Sequence, residues 1–324
     1  MWRQTNTLKK LISIVAPMYN EESLAHEYCN AAKTMMLSLE DKYDFELILV
    51  NDGSRDNTYQ IMLEEQQKSP DLITTICLSR NFGLEGAVNA GIRKAAGDAV
   101  VVMDADLQDP LELIPVMIDK WEAGADVVVG SRIKRSNDSF LKKLGAGFYY
   151  KVLDLLSGKL KLEKSAANYR LLSKKALNQI LDLPEVNSVF RVVVPFVGMK
   201  TDIVKYDRDK RFAGKTKYNL KSMIPYALDS ITGISVKPLR IIFYFLPFDF
   251  LFFVVSILGT IFTVSLWQIY WAAMIVISIL FGLISISIAV ISEYVAQLMT
   301  EVKGRPISII YQYIPSSSAK EHLT

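Results

Sequence analysis

Histidine and cysteine are nearly absent from this chain, with two of each in 324 residues. His26 and His322 stand isolated, which disfavours a histidine-ligated zinc and histidine-based nucleophilic catalysis. Cys29 and Cys77 lie far apart, one of them in an apolar run. That is the pattern of buried free thiols in a reducing compartment, not of a disulfide framework. No Gly-x-Gly-x-x-Gly follows the first apolar run and no Walker loop occurs. Gly83-Leu84-Glu85-Gly86 has the wrong spacing and follows the third such run. Dinucleotide oxidoreductase and P-loop readings therefore lack their signatures. A net charge of only +3 does not indicate a nucleic-acid surface. Repeats, low-complexity tracts and long linkers are missing too, and the apolar stretch Leu11–Ala16 is too short for a signal peptide.

A further absence is the most informative. From Ile241 to Ser292 there is no Lys or Arg, and Asp249 is the single acid. A run of about 50 residues exceeds one membrane span and holds two of roughly 20. Two antiparallel helices with a tight connection near Leu266–Tyr270 are expected. Basic residues crowd both flanks: Arg208, Lys210, Arg211, Lys215, Lys217, Lys221, Lys237 and Arg240 before, Lys303 and Arg305 after. Positive flanks around an uncharged turn place both in the cytoplasm and draw anionic headgroups. Asp249, close to Pro247, is expected near the membrane interface. The stretch from Phe212 to Thr232 interleaves Lys and Tyr with apolar residues, as interfacial helices do. The expected organisation is a cytoplasmic catalytic domain over 1–207, interfacial helices over 208–240, two spans over 241–292 and a cytoplasmic tail over 293–324.

The N-terminal part alternates short β-branched runs with amphipathic stretches. Expected strands are Leu11–Ala16, Phe45–Asn51, Leu72–Leu78, Ala99–Met103 and Asp126–Gly130. Expected helices are Glu22–Leu39, Asn57–Gln67, Leu84–Ala96 and Leu111–Ala123. Such alternation predicts an α/β fold with a parallel sheet covered on both faces, which binds its ligand at the carboxyl ends of the strands. Beyond Arg132 the pattern reads as a helix at Ser139–Leu156, a strand and helix over Asn168–Leu181, and a helix at Pro184–Val197.

Polar clusters sit at three of these strand ends. In Asp104-Ala105-Asp106-Leu107-Gln108-Asp109-Pro110, two carboxylates and an amide oxygen at alternate positions make a hard-oxygen set suited to Mg²⁺ or Mn²⁺. An ion held there would offset charge on a departing nucleoside diphosphate. The bland alternative is a solvated turn with a helix N-cap. In Asn51-Asp52-Gly53-Ser54, Asp52 either accepts hydrogen bonds from a base or ribose or closes an Asx-type turn over Gly53. Acids in Pro17-Met18-Tyr19-Asn20-Glu21-Glu22 are accounted for by the dipole of the helix they begin.

In their order these clusters resemble the signature of glycosyltransferase family 2, joined by Ser79-Arg80-Asn81-Phe82-Gly83, Gly130-Ser131-Arg132, Tyr169-Arg170-Leu171-Leu172 and Arg211-Phe212-Ala213-Gly214-Lys215-Thr216-Lys217-Tyr218. More narrowly, with Lys237-Pro238-Leu239-Arg240, the apolar run, Glu293-Tyr294 and Glu301-Val302-Lys303-Gly304-Arg305-Pro306, the chain looks like the polyprenyl-phosphate glycosyltransferases. That group includes dolichol-phosphate mannose synthase and bactoprenol glucosyltransferase. The resemblance covers nearly the whole chain. It implies a GT-A (Rossmann-like) domain, a divalent Mg²⁺ or Mn²⁺, and transfer with inversion from a nucleotide-sugar to a polyprenyl phosphate. It assigns the donor to Pro17, Tyr19, Asn20, Glu21, Asp52, Ser79, Asn81, Gly83, Asp104 and Arg132. The metal falls to Asp104, Asp106 and Gln108. Phosphate or acceptor falls to Arg132, Arg170, Arg191, Arg211, Lys215 and Lys217. It also implies a multi-pass protein of the bacterial inner membrane, with the lipid, the membrane and further copies of the chain as partners.

Two departures stand out. Asn168 occupies a place where the family usually has Asp, and it cannot take a proton. A lipid phosphate monoester has a second pKa near 6 and is largely dianionic at neutral pH, so Asn168 is expected to orient the acceptor instead. Leu84 replaces a polar or basic residue common in relatives, which loosens any inference about the sugar. UDP-glucose is the first expectation, then UDP-N-acetylglucosamine and GDP-mannose. A processive polysaccharide synthase would carry more spans and a Gln-x-x-Arg-Trp motif. A catalytically silent membrane scaffold remains the alternative of another class.

Overall fold

Leu11–Met18 is buried along its whole length, so the first strand must lie inside a sheet covered on both faces. The structure is a computed structural model that describes residues 9–133, 166–184, 190–207 and 266–319, with a few single helical positions between 239 and 258. Strand β1 (Lys10–Met18) pairs in parallel with β2 (Tyr43–Asn51) on one side and β4 (Ala99–Val102) on the other. Next to β2 lies β3 (Ile73–Leu78), also parallel. The helices between them are α1 (Ala25–Leu37), α2 (Thr58–Lys68) and α3 (Gly83–Lys94), with α4 (Leu113–Glu122) leading to β5 (Val127–Arg132). Each of these elements agrees with the sequence expectation to within about three residues at either end.

The sheet is mixed, not wholly parallel. Its order is β7-β5-β6-β4-β1-β2-β3-β8. Strand β6 (Ala166–Ser173) inserts antiparallel between β4 and β5, and β7 (Thr201–Tyr206) pairs in parallel with β5. Helix α5 (Lys174–Leu181) follows β6 directly, with the Ser173 hydroxyl accepting from the Ala176 amide as its N-cap. Among the described residues helix α6 spans Phe190–Phe196, inside the expected Pro184–Val197. Two apolar cores result. Helices α1, α2 and α4 cover one face of the sheet, and α3, α5 and α6 cover the other.

The C-terminal part departs furthest from expectation. Helix α7 runs unbroken from Leu266 to Lys303, 38 residues or about 57 Å at 1.5 Å per residue. Leu266–Tyr270, expected to be a turn, forms its first turns instead, because the apolar pattern there continues without a Gly or Pro break. Within it Ala272–Lys303 is long and apolar enough to cross a membrane, and none of its most apolar window is buried against the rest of the chain. After α7 the chain turns at Gly304 (φ 56°) and returns to the sheet. There β8 (Ile310–Ile314) pairs antiparallel with β3 and covers that edge. The helix Ser139–Leu156, the interfacial stretch, Arg211, Lys215, Lys217 and Asp249 lie outside the described residues.

Helix α3 crosses β1 and β2 closely because Gly91 has no side chain. A Cβ there would meet Val15 Cγ1 at 2.3 Å and Val50 Cγ2 at 3.1 Å. Gly91→Ala should therefore lower stability by about 1–3 kcal/mol through overpacking, although alanine favours helix. A urea titration of the detergent-solubilised protein checks this, and unchanged or raised stability would show that the contact relaxes freely.

Candidate active site

Strand order reverses between β1 and β4: β2 and β3 lie on one side of that junction, β6, β5 and β7 on the other. In open α/β sheets a crevice forms outside the carboxyl ends of the strands at such a point. The segments after β1, β2, β3 and β4 all emerge at this edge, and the first three are hydrogen-bonded to one another. After β1, the Asn20 amide donates to Ser54 Oγ at 3.0 Å, and Asn20 Oδ1 accepts from the Arg55 amide at 2.8 Å. Asn20 holds a left-handed backbone (φ 50°), a conformation asparagine tolerates better than most residues. The Glu21 amide donates to Thr58 Oγ1 at 2.8 Å. Pro17 is the penultimate residue of β1, and Tyr19 lies just beyond the strand's end at Met18.

Asp52 is 4% exposed, and both its carboxylate oxygens are engaged by the segment after β3. Oδ1 accepts from the Phe82 amide at 2.7 Å, and Oδ2 accepts from Asn81 Nδ2 at 3.0 Å. Gly53 (φ 64°) permits this approach, since a Cβ there would stand 2.5 Å from the Arg80–Asn81 backbone. Asp52 thus fixes the Ser79–Gly83 loop, on which Asn81 and Gly83 sit near the start of α3. Burial pushes its carboxyl up to about 6, against the opposing pull of the Phe82 and Gly83 amides and the Arg80 charge. An unfolded aspartate titrates near 3.9, so the folded state holds this proton the more tightly. Its stabilising contribution is complete below about pH 4 and is lost as pH rises through about 6. Compared with Asp52→Asn, the wild-type protein should therefore lose stability between about pH 4 and 6 and run parallel above. Melting curves of both across that range test it; a gap that stays constant or moves the other way would contradict the assignment.

On the β4 side, Asp104 follows the strand with only Met103 between. Asp106 is nearly buried, and its Oδ1 accepts from the Gln108 amide at 3.2 Å across Leu107, which holds φ 54°. Continuing the β4–β6 register two residues past Val102–Arg170 sets Asn168 across from Asp104. Asn168 is 9% exposed, and its Oδ1 is buried without a hydrogen-bond partner among the described residues. The sequence-expected Asp104, Asp106, Gln108 and Asn168 are thus brought to one edge.

The expected phosphate ligands fare differently. Arg132, at the end of β5, reaches Asp109 at 3.3 Å and the Tyr206 hydroxyl at 3.3 Å. Arg170 is 2% exposed, donates to the Phe190 carbonyl at 3.1 Å and lies over the Phe190 ring, which places it inside the fold beneath α6. Arg191 falls in α6. Sequence reasoning missed Asp109 and Tyr206, whose only signal was an acid placed just before Pro110. It also missed a cavity of about 520 Å³ between the Arg80–Gly83 loop and the end of α7, where Thr300 and Arg305 face Arg80 and Asn81.

Residues 13–194 match the family described as Glycosyl transferase family 2. The chain is 39% identical over 303 residues to the glycosyltransferase YkcC of Bacillus subtilis (strain 168), with 92% of each chain covered. To the prophage bactoprenol glucosyl transferase homolog of Escherichia coli (strain K12) it is 38% identical over 304 residues, covering 92% of this chain and 98% of the other. Among solved structures it is similar to glucosyl-3-phosphoglycerate synthase from Mycobacterium tuberculosis in complex with Mn²⁺, UDP-glucose and glycerol 3-phosphate. There the TM-score is 0.50 at 18% identity, over 69% of this chain and 78% of that one, a likeness of fold alone. Sheet order, crevice and sequence agree with a GT-A architecture, and the chain belongs to glycosyl transferase family 2.

Proposed function

We propose that this glycosyltransferase moves a sugar, with inversion, from a nucleotide-sugar to a polyprenyl phosphate at a membrane surface. The observation that carries the reading is the meeting of Asp104, Asp106, Gln108 and the buried, unpartnered Asn168 Oδ1 at the β1/β4 switch point. The long apolar helix α7, whose chain returns to the same sheet, supports a lipid acceptor. So does similarity to proteins named bactoprenol glucosyl transferase. UDP-glucose is the proposed donor and undecaprenyl phosphate the proposed acceptor, with domain and interfacial helices on the cytoplasmic side and α7 as one arm of a two-span hairpin.

A divalent ion fits the residues present. Asp104, Asp106 and Gln108 offer hard oxygens, and no group of three or more Asp, Glu, His or Cys among the described residues is placed to hold an ion alone. Mg²⁺ and Mn²⁺ of this kind take their remaining ligands from substrate phosphates. When bound, the ion would supply charge neutralisation at the departing diphosphate. The chain's own residues do the rest. Loops after β1, β2 and β3, locked to one another by hydrogen bonds, present a fixed surface to the nucleotide. Asn168 would orient the lipid phosphate by donating from Nδ2, and a phosphate that is largely dianionic needs no base. The phosphate oxygen attacks the anomeric carbon as the bond to the nucleoside diphosphate breaks. Two antiparallel spans would hold the catalytic edge near its lipid and raise the effective acceptor concentration.

The test is a transfer assay on purified protein with undecaprenyl phosphate, Mn²⁺ or Mg²⁺ and labelled UDP-glucose, UDP-N-acetylglucosamine or GDP-mannose. Label should enter the lipid phase from one donor. It should fall roughly 10²–10³-fold in Asp106→Ala, equivalent to several kcal/mol of lost charge stabilisation. Folded protein that binds nucleotide yet transfers nothing from any donor would point to a silent scaffold. In the same assay Asn168→Ala should lower turnover at least about 10-fold, the scale of losing oriented attack. Wild-type turnover in that variant would remove Asn168 from the reaction.

A further inference from the structure

Asp109 ends the run that carries Asp106 and Gln108, and its side chain is completely buried. A buried carboxylate must be paired and hydrogen-bonded. It accepts from the Tyr206 hydroxyl and from Arg132, whose guanidinium lies 3.3 Å away. Arg132 also donates through Nε to the Tyr206 hydroxyl oxygen at 3.3 Å. The three groups close a ring of contacts in which the tyrosine hydroxyl both donates and accepts.

Backbone register creates that ring. Arg132 and Tyr206 are the last residues of β5 and β7 and face each other as the terminal pair of the parallel ladder. The Ile133 amide donates to the Tyr206 carbonyl at 2.9 Å just beyond. A second tyrosine braces the first. Tyr169 of β6 donates to the Pro110 carbonyl at 2.9 Å and meets the Tyr206 ring edge-on, with centroids 6.1 Å apart. Gly130 makes room for both, since a Cβ there would stand 3.1–3.3 Å from Tyr169 and Tyr206. Burial, then the Asp109 charge, pushes the Tyr206 pKa well up, so the hydroxyl keeps its proton.

Upstream, the run carries a strained backbone turn. Leu107 adopts a left-handed backbone that a branched side chain rarely takes, and such a conformation persists only where its surroundings impose it. One short side-chain-to-backbone bond spans it, from the Gln108 amide to Asp106. The anchor two residues further on, at Asp109, is a side-chain clasp on the same run and helps fix where Asp106 and Gln108 sit.

We propose that Tyr206 is a positioning residue for the ion-binding run: its hydroxyl, clasped between Asp109 and Arg132, keeps Asp106 and Gln108 in the arrangement that receives the divalent ion. This rests on the functional reading above. Tyr206→Phe removes the hydroxyl and keeps the ring against Tyr169, so the fold should stand. Gly130→Ala, which crowds the same ring by a few tenths of an ångström, is a second and independent perturbation.

Two readouts on the full-length protein test it without relying on turnover. Amide exchange of residues 104–109, measured without ion, should quicken about 10-fold in Tyr206→Phe while β1 and β2 stay as in wild type, the scale of losing one hydrogen bond to a charged group. Mn²⁺ uptake in the presence of UDP, followed by the paramagnetic signal of the free ion, should weaken by a similar factor. Gly130→Ala should move both in the same direction. Exchange that rises equally across the sheet, or Mn²⁺ uptake equal to wild type, would overturn the assignment. A wild-type protein that takes up no Mn²⁺ with UDP would bring down the functional reading and this inference together.

Discussion

Everything at the catalytic edge depends on burying β1 from both sides. Leu11 to Met18 has no exposed face, so the strand is fixed between β2 and β4, with α1 on one side and α3 on the other. A slip of one residue would exchange the two cores and is strongly opposed. With β1 fixed, the strand ends on either side come out at the same level. That common level brings Asp52, Asp104 and Asn168, distant in sequence, to one edge.

Apart from Asn168 Oδ1, several polar groups at this edge satisfy each other before any substrate arrives. Asp52 holds the loop after β3, Asn20 and Glu22 hold the turn after β2, and Asp109 is held by β5 and β7. A carboxylate this buried is costly to charge, and Asp52 shows it in its raised pKa. Catalytic surfaces work best when donors and acceptors are placed in advance, because no reorganisation is then needed as charge develops. At the opposite end of the strands, Glu46 serves a similar purpose without chemistry. Its buried carboxylate accepts from Ser13 and Thr74, tying β1, β2 and β3 together.

Strands β1 to β5 were legible in the sequence because continuous β-branched runs bounded by turns have one stable use, the inside of a covered sheet. The place of the Asp104–Gln108 run at the sheet edge was legible for the same kind of reason, because it follows from where β4 ends. Strand β8 was not. Ile310–Ile314 is short, and its pairing with Thr75–Leu78 spans more than two hundred residues that no local pattern encodes. Arg170 misled because a charge normally signals solvent, whereas here a carbonyl and an aromatic ring of α6 cover it. The partners of Asp52 were hidden for another reason, since one of them is a main-chain amide that any residue type supplies. Tyr206 stayed invisible because its value comes from register, not from residue type.

Strand β8 also has a consequence in time. It follows α7 in the chain, so β3 keeps an open edge until the whole apolar helix has been made. At about 5–20 residues per second, synthesis from the end of β7 to the end of β8 takes roughly 5–20 s. Through that interval the catalytic sheet exposes the kind of strand edge that recruits other chains. Completion of the sheet is thereby tied to completion of the helix: a ribosome that stalls within α7 leaves behind a sheet with one bare edge.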